Sequence, residues 1–325
     1  MAETQIQASM IAALPRFAEL ASALGSARGK PLLARALAAI EAQPDDPATL
    51  KLLDEAYAAP ASESSHVVGI TGPPGVGKSS LLGALIKDWR GQGSSVGVIA
   101  VDPSSKRSGG ALLGDRTRLN TDPSDASLFV RSMAARERLG GLAALTFPGV
   151  VLMRALFDLV IVESVGVGQS ETEIADAVDS VVVCIQPGSG DSLQFMKAGI
   201  VEIPHIVAVT KADLGAMAER ALADVEGAIG LASVGSWPVK ILKLSASRHE
   251  GVGDLIAALQ RHRQHLVLRG EFAAARTRQA RQWALDEIRA RYGTTGIARL
   301  GKLETAAGRS PFQVLAAALA RLEAR

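Results

Sequence analysis

Residues 69 to 80, GITGPPGVGKSS, constrain this chain more than any other segment. The apolar run His66-Val67-Val68-Gly69-Ile70 reads as a buried strand. It leads into Gly72-Pro73-Pro74-Gly75-Val76-Gly77-Lys78-Ser79, and SSLLGALIKDWR from Ser79 to Arg90 reads as a helix. Strand, glycine-rich turn and helix with the spacing G-x-x-x-x-G-K-[ST] form a complete phosphate-binding loop. The spacing has a physical cause. Backbone N–H groups surround a β-phosphate only where the loop turns tightly and side chains stay clear, which Gly72, Gly75 and Gly77 permit. Lys78 supplies a point charge for the β- and γ-phosphates, and the Ser79 hydroxyl suits Mg²⁺ at a helix N-terminus whose dipole favours an anion. The candidate phosphate-binding set is Gly75, Val76, Gly77, Lys78, Ser79 and Ser80, and the ligand expected is a nucleoside triphosphate.

A chain of 325 residues, 48% of them hydrophobic, has ample material for a core. Its apolar residues are mostly Ala, Leu, Val and Ile, which suits helices packed on a Val/Ile-rich sheet. Net charge is only +2 and no run of like charges occurs, so neither nucleic acid nor a membrane surface is an expected partner. No apolar run reaches spanning length and the opening MAETQIQASMIAALPRF lacks a secretory layout, so a cytoplasmic location is expected. The single cysteine, Cys184 in Val181-Val182-Val183-Cys184-Ile185, is expected to be a buried strand residue. The five histidines, at 66, 205, 249, 262 and 265, are mostly scattered and form no metal cluster with it.

Residues 7 to 59 read as helical, punctuated by Pro44, Pro47 and Pro60. From 65 to 246 short Val/Ile-rich runs alternate with helical stretches, the pattern of a parallel sheet covered on both faces. Strands are expected at 66–71, 95–101, 127–131, 157–163, 180–186, 205–210 and 239–245. After 253 the chain reads as helical to about 292, breaks at Tyr292-Gly293-Thr294-Thr295-Gly296, and ends in a short helix near Leu322. The fold expected is α/β, a P-loop NTPase with a mostly parallel central sheet. It divides into an N-terminal helical extension (1–60), the nucleotide domain (61–253) and a C-terminal helical region (254–325).

Ligands of open α/β sheets bind beyond the C-terminal ends of the strands, and three acids stand at such places. Asp102 in VDPSS, Asp115 in GGALLGDRTR and Glu163 in LVIVESVGVGQSE are candidates to complete a Mg²⁺ shell with Ser79. Val207-Ala208-Val209-Thr210-Lys211-Ala212-Asp213 puts Lys and Asp directly after a strand, at the spacing used to read guanine. A carboxylate at Asp213 accepts two parallel N–H bonds from guanine, whereas adenine would leave that charge unpaired. Lys211 would lay its aliphatic stem over the base. Backbone N–H groups around Ser245 and Ala246 are candidates to meet the guanine oxygen. In PGSGDSLQFMKAG, Gly188 and Gly190 permit movement, while Asp191, Gln194 and Lys197 share a three-residue spacing that could present them to the nucleotide.

In this order, GITGPPGVGKSS, VDPSSKRSGGALLGDRTR, VIVESVGVGQSE, PGSGDSLQFMKAGI and VTKAD resemble the MeaB/ArgK family of chaperone GTPases, related to human methylmalonic aciduria type A protein. The resemblance implies a GTPase that uses GTP/GDP and Mg²⁺, a C-terminal helical dimerisation arm and hence a homodimer. Its partner would be an adenosylcobalamin-dependent acyl-CoA mutase, whose cofactor loading, protection or reactivation it gates. Carried over by position, the metal-site acids fall on Asp102, Asp115 and Glu163, and a mobile signalling loop falls on Gly188 to Lys197, which makes Lys78, Asp102, Glu163, Gln194 and Lys197 the candidate catalytic residues. The chain departs from the family pattern at Thr210, where Asn is usual, and at Ser164, where many relatives have Thr. Other readings are a metallochaperone GTPase for a different metalloenzyme, a transport-associated ATPase or kinase, and an assembly module that binds GTP without appreciable hydrolysis.

Overall fold

Segments rich in Val and Ile pair side by side under helices, and seven strands form a single parallel sheet. The computed structural model describes residues 14–26, 28–103, 121–135, 143–164, 173–188, 203–229, 233–234, 236–301, 303 and 309–324. In chain order these form α1 (Phe17–Ala23), α2 (Gly29–Ala42), α3 (Pro47–Ala58), the single turn α4 (Ala61–Ser64), β1 (His66–Thr71) and α5 (Lys78–Gly91). There follow β2 (Val96–Pro103), β3 (Leu128–Ala135), α6 (Ala143–Arg154), β4 (Leu159–Glu163), β5 (Ser180–Ile185), β6 (Ile206–Val209) and α7 (Ala216–Ile229). The chain closes with β7 (Ser233–Val234), β8 (Trp237–Pro238), β9 (Lys240–Lys243), α8 (Val252–Leu268), α9 (Glu271–Leu300) and α10 (Pro311–Glu323).

The sheet order is β3-β2-β4-β1-β5-β6-β9. β1 is central: Ile70 lies beside Glu163 of β4 and Thr71 beside Val183 of β5. All six residues of β1 are buried. The chain leaves β1 for β2 on one side and later crosses to β5 on the other, so the loop after β1 stands at the crevice where strand order reverses. The strand expected at 127–131 extends to Ala135, and the one expected at 239–245 stops at Lys243. Ser245 is drawn out of that strand by an antiparallel bridge to Glu250. The short β7–β8 ribbon gives no periodic signal in the sequence.

Helices cover both faces. One cluster joins Leu33, Leu37, Leu53, Phe147, Val151, Trp283 and Phe312 to sheet residues such as Val67 and Val160. The other joins α5 and α8, through Leu81, Leu85, Leu255 and Leu259, to Val68, Cys184 and Ile206. Residues 254–268, which the sequence assigns to the C-terminal region, therefore cover one face of the sheet. Local chemistry fixes the helix starts. Asp46 caps α3 by accepting from Ala48 N at 2.9 Å with Pro47 in the first turn, and Ser310 caps α10 by accepting from Gln313 N at 3.1 Å with Pro311 following. The break expected near residue 293 is a kink: Gly293 has φ 65° inside α9, a conformation suited to glycine. Trp283 of α9 stacks on Phe147 of α6 at 5.2 Å and meets Phe312 of α10 edge-on at 5.1 Å, which fastens the end of the chain to the core. No helix among the described residues is long and apolar enough to cross a membrane.

Three of the histidines that look scattered in the sequence are collected at the N-terminal end of the sheet. Ser180, at the start of β5, is bonded to His66 Nε2 at 2.8 Å and to His262 Nδ1 of α8 at 2.7 Å. His205 Nδ1 accepts from Val181 N at 2.9 Å, and its ring lies 4.1 Å from that of His262. Burial pushes the His66 and His205 imidazoles down to about 4; burial, then the neighbouring imidazoles, push His262 to about 2. All three are neutral in the fold at pH 7, whereas unfolded imidazoles titrate near 6.5. The stability they confer is complete above that value and is lost as pH falls from 6.5 toward 4, because the unfolded chain binds protons that the fold excludes. Urea unfolding at pH 7.5 and pH 5 should show a loss on the order of 2 kcal/mol per buried imidazole. His205→Gln, which keeps an acceptor for Val181 N, should lose less stability than wild type over the same interval; parallel losses would show that the imidazoles are not the source.

Candidate nucleotide site

The loop from Gly72 to Gly77 crosses the C-terminal ends of β1, β5 and β6. Gly72 has φ 141°, and a Cβ there would lie 2.4 Å from the carbonyl oxygen of Cys184, so the loop passes β5 at a distance only glycine allows. Gly77, with φ 102°, caps the N-terminus of α5. Lys78 Nζ donates to Gly72 O at 2.6 Å and to Pro73 O at 3.1 Å, which folds the ammonium across the loop it would share with a phosphate. Ser80 faces outward on the first turn of α5.

Ser79 and Glu163 come together: Ser79 Oγ donates to Glu163 Oε1 at 3.0 Å, and the Glu163 carboxylate is 95% buried. The pairing follows from topology, since β1 and β4 are adjacent and Glu163 is in register with Ile70. A hydroxyl beside a buried carboxylate is an all-oxygen donor pair of the kind a small hard divalent cation takes. Asp102 stands at the C-terminal end of β2, in register with Ala134; its side chain lies outside the described residues. Asp115, Asp191, Gln194 and Lys197 also lie outside them.

Thr210, Lys211 and Asp213 follow β6 and converge on the same loop. Thr210 is buried, and its hydroxyl donates to Val76 O at 2.7 Å with Ile185 O 3.1 Å away. Lys211 takes a left-handed conformation, φ 54°, and its Nζ reaches Gly75 O at 2.9 Å and Gln186 Oε1 at 2.7 Å. Asp213 Oδ1 accepts from Ser245 Oγ at 2.6 Å. That hydrogen bond, with smaller help from its own backbone N–H and from Arg248 and Lys211, holds the Asp213 carboxyl below its ordinary range, so it is anionic at neutral pH. Ser245 and Ala246 are therefore beside Asp213, after β9. Cys184 is fully buried and its thiol is pushed up to about 12, which leaves it inert.

Three polar residues of this site, Thr71, Ser164 and Gln186, are given no role by the sequence. Ser164 Oγ donates to Thr71 Oγ1 at 2.7 Å and Ser164 N to Ile70 O at 3.0 Å, which joins the ends of β4 and β1. Gln186 holds Lys211. Their only sequence signal is a polar residue at the end of an apolar strand.

A glycine loop at the switch point of a parallel sheet, with Lys-Ala-Asp two strands away in the sheet and beside a serine turn, defines the class of P-loop GTPases. The chain belongs to the MeaB family: the family model described as "Methylmalonyl Co-A mutase-associated GTPase MeaB" matches residues 33–295. It is 42% identical over 223 residues to a putative GTPase of Pyrococcus horikoshii, covering 67% of this chain and 70% of that one. It is 38% identical over 226 residues to the mitochondrial methylmalonic aciduria type A homolog of Mus musculus, covering 68% of this chain and 54% of the mouse protein. The crystal structure of an LAO/AO transport system kinase shares the fold, with a TM-score of 0.64 and 24% identity over 94% of this chain and 97% of that one. The protein is a guanine-nucleotide-binding GTPase.

Thr210 does for the loop what its sequence context does not suggest: it ties Val76 to the β5–β6 edge. Thr210→Val keeps the shape and removes the donor, which should weaken GDP binding by about 1–2 kcal/mol, or roughly 5- to 30-fold. Thr210→Ser should retain most of the affinity. Calorimetric titration of both variants measures this, and equal affinity in Thr210→Val would show that the bond does not brace the loop.

Proposed function

We propose that this GTPase is a chaperone of an adenosylcobalamin-dependent acyl-CoA mutase, coupling its nucleotide state to cofactor loading, protection or reactivation of that enzyme. The observation that carries the reading is the match of residues 33–295 to a family described as associated with methylmalonyl-CoA mutase. The relationship to a methylmalonic aciduria type A homolog supports it.

In the reading proposed, the backbone N–H groups of Gly75 to Ser80 cradle the phosphates, and Lys78 exchanges the carbonyls of Gly72 and Pro73 for phosphate oxygens. Asp213, anionic and oriented by Ser245, takes the two N–H groups of guanine, while Lys211 lies along the base and Ala246 offers its backbone to the guanine oxygen. The Ser79 hydroxyl and Glu163 carboxylate would hold Mg²⁺, with Asp102 and Asp115 in its shell or at its waters. That ion, when bound, neutralises charge on the β- and γ-phosphates. Gln194 and Lys197 are assigned to the step at which a partner completes the site. The C-terminal helices are assigned to a homodimer, for which sedimentation of the full chain at twice its 33.8 kDa mass is the test.

Lys78→Ala should lower turnover by at least about 100-fold, since the transferred phosphoryl group loses its fixed cation. Asp213→Asn should weaken GTP binding roughly 30- to 1,000-fold and favour xanthosine nucleotides. The chaperone reading is tested by the GTPase rate with and without a cognate mutase. Gln194→Ala and Lys197→Ala should keep nucleotide binding while mutase-stimulated turnover falls by about 10-fold. A mutase that neither binds nor changes the wild-type rate would overturn the chaperone role and leave the GTPase intact.

A further inference from the structure

The end of the sheet opposite the nucleotide loop carries a cleft of about 440 Å³, enclosed by α3, α4, the last turn of α6 and the α8–α9 junction. Its polar wall is built from arginines. Arg276 of α9 is engaged at all three nitrogens: Nε and Nη2 form a fork on Asp179, at 2.8 and 2.6 Å, and Nη1 and Nη2 also reach the carbonyls of Ser62 and Ser65. Arg263 stands close by, donating to Ser64 O. Both guanidinium groups lie over the Phe272 ring, at 4.1 Å for Arg276 and 5.8 Å for Arg263.

Arg154, at the end of α6, is different. It is 95% buried, it lines the cleft, and its one hydrogen bond among the described residues runs from Nε to Ser62 Oγ at 2.7 Å; Tyr57 lies under its guanidinium at 5.4 Å. Among the described residues it has no carboxylate partner. A guanidinium offers five N–H donors in a planar fork, and the terminal nitrogens of this one are unengaged in a region otherwise desolvated. The local charge balance leans the same way. Three guanidinium groups meet one buried carboxylate, Asp179, which is consumed by Arg276, while Glu63 stands exposed on the rim without an ion-pair partner among the described residues. Burial, together with the nearby Arg276, lowers the Arg154 pKa to about 10, which still leaves it protonated at pH 7.

We propose that this cleft is a second binding site, for a small organic anion whose carboxylate or phosphate group takes the free fork of Arg154 and whose apolar part rests between Tyr57, Phe272 and Val267. The cleft volume fits a small molecule, and Arg with its paired donors is the side chain suited to planar or tetrahedral oxyanions. The site is distinct from the phosphate loop, because it lies at the N-terminal ends of β1 and β5 and the loop lies at their C-terminal ends. It does not depend on the mutase reading.

The test is calorimetric titration of the full chain saturated with GDP, so that the phosphate loop is occupied, using inorganic phosphate in one arm and butyrate in the other. Chloride at matched ionic strength is the control. One-to-one binding of phosphate or butyrate is expected, and the arm that binds more tightly identifies the head group. Glu63→Gln, which removes a repelling charge from the rim, should tighten binding by about 2- to 10-fold. Val267→Glu, at a half-exposed position on the mouth, should abolish it, and Arg154→Lys, which keeps the charge and loses the fork, should weaken it at least about 10-fold. The two rim variants keep the test decisive if Arg154→Lys does not fold. Absence of binding above the chloride control in wild type, or binding unchanged by both rim variants, would overturn the proposal.

Discussion

The rest of this structure depends on how the loop after β1 is held against its neighbours. Gly72 passes Cys184 so closely that a Cβ would meet the carbonyl at 2.4 Å, and the Thr210 hydroxyl and Lys211 ammonium then fasten Val76 and Gly75 from the far side. A loop whose amide groups must converge on one anion gains by being fixed before the ligand arrives, since ordering it on binding would cost conformational entropy. The bracing residues belong to the same segment after β6 as Asp213. The glycine loop and the Thr210–Asp213 segment are therefore mechanically one unit, braced by a threonine hydroxyl.

The same logic governs the pairing of Ser79 with Glu163. Ser79 lies in the first turn of α5 and Glu163 ends β4, 84 residues later, yet they share a hydrogen bond because β4 is the parallel neighbour of β1. Ser164 then ties the two strand ends through Thr71. With the carboxylate placed by a buried strand end instead of a loop, its position follows from the sheet register.

At the opposite pole, the fold gathers charge instead of distributing it. Burial by itself pushes the Asp179 carboxyl up, but the Arg276 fork outweighs that and holds it below the usual carboxylate range. The carboxylate also accepts from Val67 N at 2.8 Å, so the ion pair is built into the start of β1. Breaking such a pair strands a buried charge, which is far costlier than the pair's net worth to stability. This pole joins the N-terminal helices, α8 and α9 to the sheet, which is why the helices outside the nucleotide domain share its core.

Much of this protein was legible in the residues alone, because the relevant information is local. The phosphate loop, the strand–helix alternation, the burial of Cys184, the kink at Gly293 and the position of Lys211 and Asp213 after β6 all follow from short spacing rules and backbone preferences. Boundaries were less legible: β3 runs to Ala135 and β9 stops at Lys243 because pairing partners, not propensity, end a strand. What only the tertiary structure decided are the meetings between distant residues. No periodicity announces that Thr210 braces Val76, that Ser180 joins His66 to His262, or that Arg154 is left with an open fork while Arg276 is filled. Those outcomes depend on strand order and on which helix covers which face, and they are fixed only when the whole core has packed.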